Sequence, residues 1–119
     1  MALAVLVVED DALIRMAAAE IVKEMGCVAY AAANADDAVD LLEAHPEIAL
    51  LFTDIDMPGT MDGLELAEVV HTRWPHVRLI VTSAHTQVPD DDLPDHGKFI
   101  QKPYYPVVVQ SAMHDALAE

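Results

Sequence analysis

Leu3-Ala4-Val5-Leu6-Val7-Val8 is an unbroken apolar run that stops at Glu9-Asp10-Asp11. A run of this length without polar alternation is the pattern of a strand buried on both faces of a parallel sheet. Ligands of such sheets bind beyond the carboxyl ends of the strands, so the acids that end the run stand where a site would form.

Working outward, Asp10 or Asp11 can cap a helix reaching to about Met25, with Leu13, Ala17, Ile21 and Met25 recurring every fourth residue and Gly26 closing it. The strand and helix unit then repeats. Residues 27–32 read as a second strand, and Asn34 caps a second helix that buries Ala38, Leu41 and Leu42 before His45-Pro46. Residues 48–53 make a third strand, and a third helix carrying Leu64, Ala67 or Glu68, and His71 ends before Pro75. Residues 77–81 form a fourth strand, Phe99-Ile100 belong to a short fifth, and Pro106 opens a terminal helix with Val109, Met113 and Leu117 inward. Between the last two strands, Pro89, Pro94 and the run Asp90-Asp91-Asp92 leave room for at most one helical turn, with Val88 and Leu93 as the available anchors. This order predicts an α/β domain spanning residues 1–119, a doubly wound five-stranded parallel sheet of right-handed crossovers with a reduced or absent helix before the last strand.

Composition narrows the function. Twenty-one acidic residues against six basic ones give a net charge of −15, which repels nucleic-acid phosphates and anionic lipid. No apolar run approaches membrane-spanning length and no basic leader precedes the first strand, so a cytoplasmic protein without membrane or nucleic-acid partners is expected. Cys27 is the single cysteine, excluding an internal disulfide or a paired-thiol metal site, and the six histidines show no zinc-ligand spacing and are expected at the surface.

The residues just past the strands are Glu9-Asp10, Asp54, Thr82-Ser83 and Lys102. Three carboxylates at neighbouring strand ends raise each other's pKa unless a cation joins them. All-oxygen ligands favour a hard divalent ion, Mg²⁺ rather than Ca²⁺ where water and phosphate complete the shell. Lys102 adds a fixed cation, and Thr82 or Ser83 a hydroxyl. Metal, cation, donor and carboxylate nucleophile together make a phosphoryl-transfer set. Singly, each has a plainer role: Asp10 or Asp11 as helix cap, Asp54 as turn opener, Lys102 as a solvated charge.

The runs Val7-Val8-Glu9-Asp10-Asp11, Thr53-Asp54-Ile55-Asp56-Met57-Pro58, Met61-Asp62-Gly63, Val81-Thr82-Ser83-Ala84 and Lys102-Pro103 resemble, in order and over nearly the whole chain, the receiver domains of bacterial response regulators. The resemblance implies a flavodoxin-like (βα)5 fold. It implies Asp54 as phosphoacceptor, Glu9 and Asp10 as the acidic pair of a Mg²⁺ site, and the Asp56 backbone carbonyl as a further ligand. Lys102 would pair with the phosphoryl group and precede a cis proline. Ser83, followed by the small Ala84, would be the switch hydroxyl, and Phe99 the switch aromatic. Such a domain takes its phosphoryl group from a sensor histidine kinase or histidine phosphotransfer protein, promotes only its own phosphorylation and dephosphorylation, and signals through a protein partner or relays phosphate onward. Two departures stand out: Pro58-Gly59-Thr60-Met61 holds one residue more than the commonest spacing, and the stretch from Ser83 to Phe99 is short. Two other readings compete. One is a haloacid-dehalogenase-like phosphatase built on Asp54-Ile55-Asp56, which lacks the expected Thr two residues on. The other is a pseudo-receiver that binds without being phosphorylated.

Overall fold

In the computed structural model, which describes residues 3–118, five parallel strands lie in the order β2-β1-β3-β4-β5. They are β1 (Ala4–Val8), β2 (Val28–Ala32), β3 (Ile48–Asp54), β4 (Arg78–Ser83) and β5 (Lys98–Gln101). Four helices connect or follow them: α1 (Ala12–Glu24), α2 (Ala35–Ala44), α3 (Gly63–Arg73) and α4 (Pro106–Leu117). Met1, Ala2 and Glu119, which the single-domain expectation also takes in, lie outside the described residues.

Strand β1 is buried along its whole length, as an unbroken apolar run at the sheet centre must be. Alternate residues feed two cores. Val5 and Val7 join Leu50, Phe52 and Ile80 against α1 and α4, whereas Leu6, Val8, Leu51 and Val81 pack against α2 and α3. The helices therefore cover both faces, and because every strand pair is parallel all five carboxyl ends lie at one edge.

Helix boundaries follow their caps. The Asp11 carboxylate accepts from the N–H of Leu13 at 2.9 Å and Ile14 at 3.1 Å, and Gly26 leaves α1 with φ +81°. Asn34 accepts from Asp37 N–H at 2.8 Å at the start of α2. Asp62 and Glu65 close a reciprocal capping box on α3. Two helical faces differ from the sequence expectation. Helix α1 buries Ala18, Ile21 and Val22 while Leu13 is 79% exposed, and α3 buries Leu66, Ala67 and Val70 with Leu64 only half-buried. In both cases a four-residue spacing marks a stripe that drifts off the core face, since the helix repeats every 3.6 residues. The surface expectation for histidines also needs correction: His45 stacks on Tyr30 at 4.2 Å, and His71 is half-buried with its Nδ1 enclosed.

Between β4 and β5 the chain forms two short 3₁₀ turns, Asp90–Asp92 and Pro94–His96, instead of a helix or the single turn expected. Leu93 between them is buried, and Val88 packs on the same core. The aspartates are not left to repel one another. Asp90 accepts from Phe99 N–H at 2.9 Å, and Asp95 pairs with Arg78 at 3.1 Å. No helix among the described residues is long and apolar enough to cross a membrane.

Candidate functional site

The carboxyl ends of β1 and β3 are in register, Val8 opposite Thr53, so the residues that follow meet. Carboxylate oxygens of Glu9, Asp10 and Asp54 lie within 4.8 Å of one another. Glu9 and Asp54 are buried, and Asp10 is exposed at the mouth. Because Asp11 is the side chain that caps α1, Asp10 is free of that duty, which settles the cap ambiguity of the sequence.

Lys102 reaches this cluster from the end of β5. Its Nζ lies 2.6 Å from Glu9 Oε1 and 3.3 Å from Asp54 Oδ2. Lys102 N–H donates to the Ser83 carbonyl at 2.9 Å, anchoring the turn, and the Lys102-Pro103 peptide is cis. Burial pushes the Glu9 carboxyl above its ordinary pKa, although the hydrogen bond from Lys102 pulls the other way. Burial alone would lower the Lys102 ammonium, but Glu9 and Asp54 outweigh it and its pKa is raised.

Three carboxylates and one ammonium leave two formal negative charges among oxygen donors, with Asp10 open to solvent. The set fits a divalent cation. In the Glu9–Lys102 contact the ammonium supplies a counter-charge to the buried carboxylate.

The two hydroxyls differ. Thr82 lies in register with Asp54, yet its buried Oγ1 has no hydrogen-bond partner among the described residues. The Ser83 hydroxyl is fully partnered: it donates to the Asp56 carboxylate and accepts from His85 and Thr86 N–H. Asp56, in turn, donates its own N–H to Asp54 Oδ1 at 3.3 Å, so the loop after β3 touches both Asp54 and Ser83. Phe99 on β5 is half-buried against the core shared with α2 and α3.

Three residues near the site escaped the sequence reading, and a fourth, Gly63, figured there only within Met61-Asp62-Gly63. Arg15 donates to the Glu9 carbonyl at 2.8 Å and holds the acidic turn from below. Gln101 donates to the carbonyls of Ser83 at 3.1 Å and Ala84 at 3.3 Å, fixing the exit of β4. Tyr104 packs edge-on against Phe52 at 5.7 Å, and burial raises its phenol pKa. Gly63 supports the Asp54 backbone: a Cβ there would fall 2.0 Å from the Asp54 carbonyl oxygen. Of the four, Gly63 left a trace in the sequence, as the last residue of the run Met61-Asp62-Gly63. Arg15 and Gln101 act on backbone carbonyls and Tyr104 through ring packing, contacts that spacing does not encode.

Comparison with known proteins agrees with this geometry. Residues 5–112 match the response regulator receiver domain family. The response regulator protein FleR of Pseudomonas aeruginosa is 35% identical over 88 residues, covering 74% of this chain and 18% of that protein. A putative NtrX-like response regulator of Rickettsia bellii is 38% identical over 82 residues, covering 68% of this chain and 17% of that protein. The chain thus spans less than a fifth of the length of these curated relatives. Among solved structures, a CheY-like receiver domain protein from Methanospirillum hungatei is alike in fold, with a TM-score of 0.88 at 24% identity over 99% of this chain and 95% of that one. A response regulator receiver protein from Pseudomonas putida gives a TM-score of 0.83 at 25% identity over 97% and 98%. A sheet of this order, with its acids gathered at the carboxyl edge and a family match running almost end to end, makes the chain a member of the response regulator receiver domain family.

Proposed function

We propose that Asp54 is the phosphoacceptor of this receiver domain and that Ser83 and Phe99 carry its phosphorylation state to the surface. The observation supporting this most directly is that one lysine, Lys102, contacts both Glu9 and Asp54 at the end of the sheet. In the reaction, an Asp54 carboxylate oxygen attacks the phosphorus of a phosphohistidine in line. A P–O bond forms, the P–N bond breaks, and the donor imidazole keeps the electron pair. Lys102 shifts its charge from the carboxylates to the transferring oxygens. Mg²⁺, held by Asp10, Asp54, the Asp56 carbonyl and Glu9 directly or through water, would supply the remaining positive charge. The chemistry ends on the domain itself, since receivers catalyse only their own phosphorylation and dephosphorylation.

The donor would be a sensor histidine kinase or histidine phosphotransfer protein. An apolar hollow lined by Leu13, Ile14, Ala17, Pro103 and Tyr104 adjoins Lys102 and suits the apolar face of a helical donor. A cytoplasmic setting, where such donors present phosphohistidine, is part of the same proposal, as is a protein output partner. Incubation with acetyl phosphate and Mg²⁺ followed by intact mass measurement tests the reading. The expected result is one added phosphoryl group that Asp54→Asn abolishes. No adduct would favour the pseudo-receiver alternative, and steady release of phosphate from varied esters the phosphatase.

A further inference from the structure

A serine hydroxyl has one proton to donate and two lone pairs to offer. Ser83 uses all of them. Its O–H donates to Oδ2 of Asp56, across the gap between the loop after β3 and the end of β4. Its oxygen accepts from His85 N–H at 3.1 Å and Thr86 N–H at 2.9 Å. The side chain is fully buried, so water offers no alternative partner. A hydroxyl saturated in this way cannot donate to a new acceptor without giving up the old one. The old one is a carboxylate, and hydrogen bonds to ionised acceptors are roughly twice as strong as those between neutral groups.

We propose that the Asp56 side chain is a latch on Ser83: it holds the hydroxyl in the resting position, and a phosphoryl group on Asp54 must take the Ser83 proton from it. The proposal rests on the reading of Asp54 as phosphoacceptor, and makes Asp56 a positioning residue with a role for its carboxylate besides the one assigned to its backbone carbonyl. Asp56 is exposed, so once released its carboxylate is solvated at little cost. Ser83 is not released alone. When its oxygen moves, the N–H groups of His85 and Thr86 lose their shared acceptor or follow it. Asp56, Ser83 and these two amides therefore form one chain of hydrogen bonds from the loop after the acceptor to the start of the segment that leads into the two 3₁₀ turns. The latch sets the threshold of the switch, because the resting state is favoured by the strength of one charge-assisted bond.

A simpler effect could imitate the latch: the Asp56 carboxylate could merely repel an incoming phosphoryl group. The two separate in a double-mutant cycle read by binding of beryllofluoride, a phosphoryl mimic, in the presence of Mg²⁺. Asp56→Ala is expected to bind the mimic roughly tenfold more tightly than the wild type. That gain is expected to disappear when Ser83→Ala is already present. A second readout needs neither mimic nor metal: in Asp56→Ala, the amide resonances of His85 and Thr86 should move toward their positions in the beryllofluoride-bound wild type. An equal gain in both backgrounds would leave repulsion as the whole effect and overturn the latch. So would unchanged amide resonances, or weaker binding by Asp56→Ala. If the wild type itself takes up no beryllofluoride, the phosphoacceptor reading falls and the latch with it; the latch alone falls when the wild type binds normally.

Discussion

Lys102 sits closer to Glu9 than to Asp54, 2.6 Å against 3.3 Å, so the lysine is first of all the partner of the buried acid that accepts no phosphate in the proposed mechanism. Asp54 shares it.

Removal of this lysine should therefore cost stability, and in a pH-dependent way. Lys102→Ala strips the counter-charge from two buried carboxylates, and breaking such a pair costs about 3 kcal/mol where neither charge can escape. Glu9 already has a raised pKa from burial, and losing Lys102 raises it further. A folded state that binds protons more readily than the unfolded state loses stability as pH rises. The deficit of Lys102→Ala relative to wild type should be smaller near about pH 5 than near about pH 8. Urea denaturation of both proteins at the two pH values measures it, and a deficit independent of pH would contradict the ion-pair account.

Adjacent aspartates should separate cleanly. Asp10→Asn is expected to weaken Mg²⁺ binding more than about tenfold with little effect on folding, since it removes the exposed carboxylate of a cluster that could hold a metal ion. Asp11→Ala should do the reverse, costing about 1 kcal/mol through the lost cap on Leu13 and Ile14 while leaving Mg²⁺ affinity within about twofold. Calorimetric titration and thermal denaturation of the two variants give both numbers.

Gly63→Ala should damage the site from behind. The added methyl meets the Asp54 backbone at 2.0 Å, which no side-chain rotation relieves. Either α3 retreats or Asp54 moves. A loss of about 3 kcal/mol in stability and slower labelling by acetyl phosphate are expected together. A variant as stable and as readily labelled as wild type would show that α3 is not held there.

Leu93→Ala tests whether the segment before β5 is packed. With Leu93 buried at 7% exposure, the truncation should cost about 2–3 kcal/mol. Amide exchange should then speed up at Leu93 and Gly97, whose N–H groups close the two turns onto Asp90 and Pro94, and at Phe99, which donates to Asp90. Unchanged exchange at these amides would mean that Leu93 carries no part of the fold.

The sheet was legible in the sequence because β1, β3 and β4 hold apolar runs followed by residues of different chemistry. Val7-Val8-Glu9-Asp10 and Thr53-Asp54 needed no long-range information. The loss of the helix before β5 was legible for the same local reason, since Pro89 and Pro94 forbid it. What replaces the helix was not. Asp90-Asp91-Asp92 read as a charged run without an apolar stripe, but Asp90 finds Phe99 N–H, and Asp95 beyond the run finds Arg78, partners supplied by the flanking strands. The inward faces of α1 and α3 were read only in part, Ile21 and Ala67 being buried as expected, for a related reason. Leu13 is apolar yet exposed on the rim of the site, so hydrophobicity there no longer reports burial. Asp10 and Asp11 could be told apart only by the direction of the chain entering α1, and the partners of Ser83 only by the path of the loop after Asp54.

That loop carries the extra residue, and it is pinned at both ends. Ile55 N–H donates to the Thr82 carbonyl at 2.8 Å, and Gly63 N–H returns to the Ile55 carbonyl at 2.9 Å. Between them the chain bulges outward through Pro58, Gly59 and Thr60, all exposed, with Gly59 at φ +110° and the Thr60 hydroxyl resting on Asp36 at 2.9 Å. The clamp below the bulge isolates its length from the geometry of Asp54. The tip is consequently where the molecule tolerates editing: a fluorophore-bearing cysteine in place of Thr60 would leave Gly59 its left-handed φ, give up only the hydrogen bond to Asp36, and ride a few residues from Asp54. A phosphorylation biosensor could be built there on the unaltered domain.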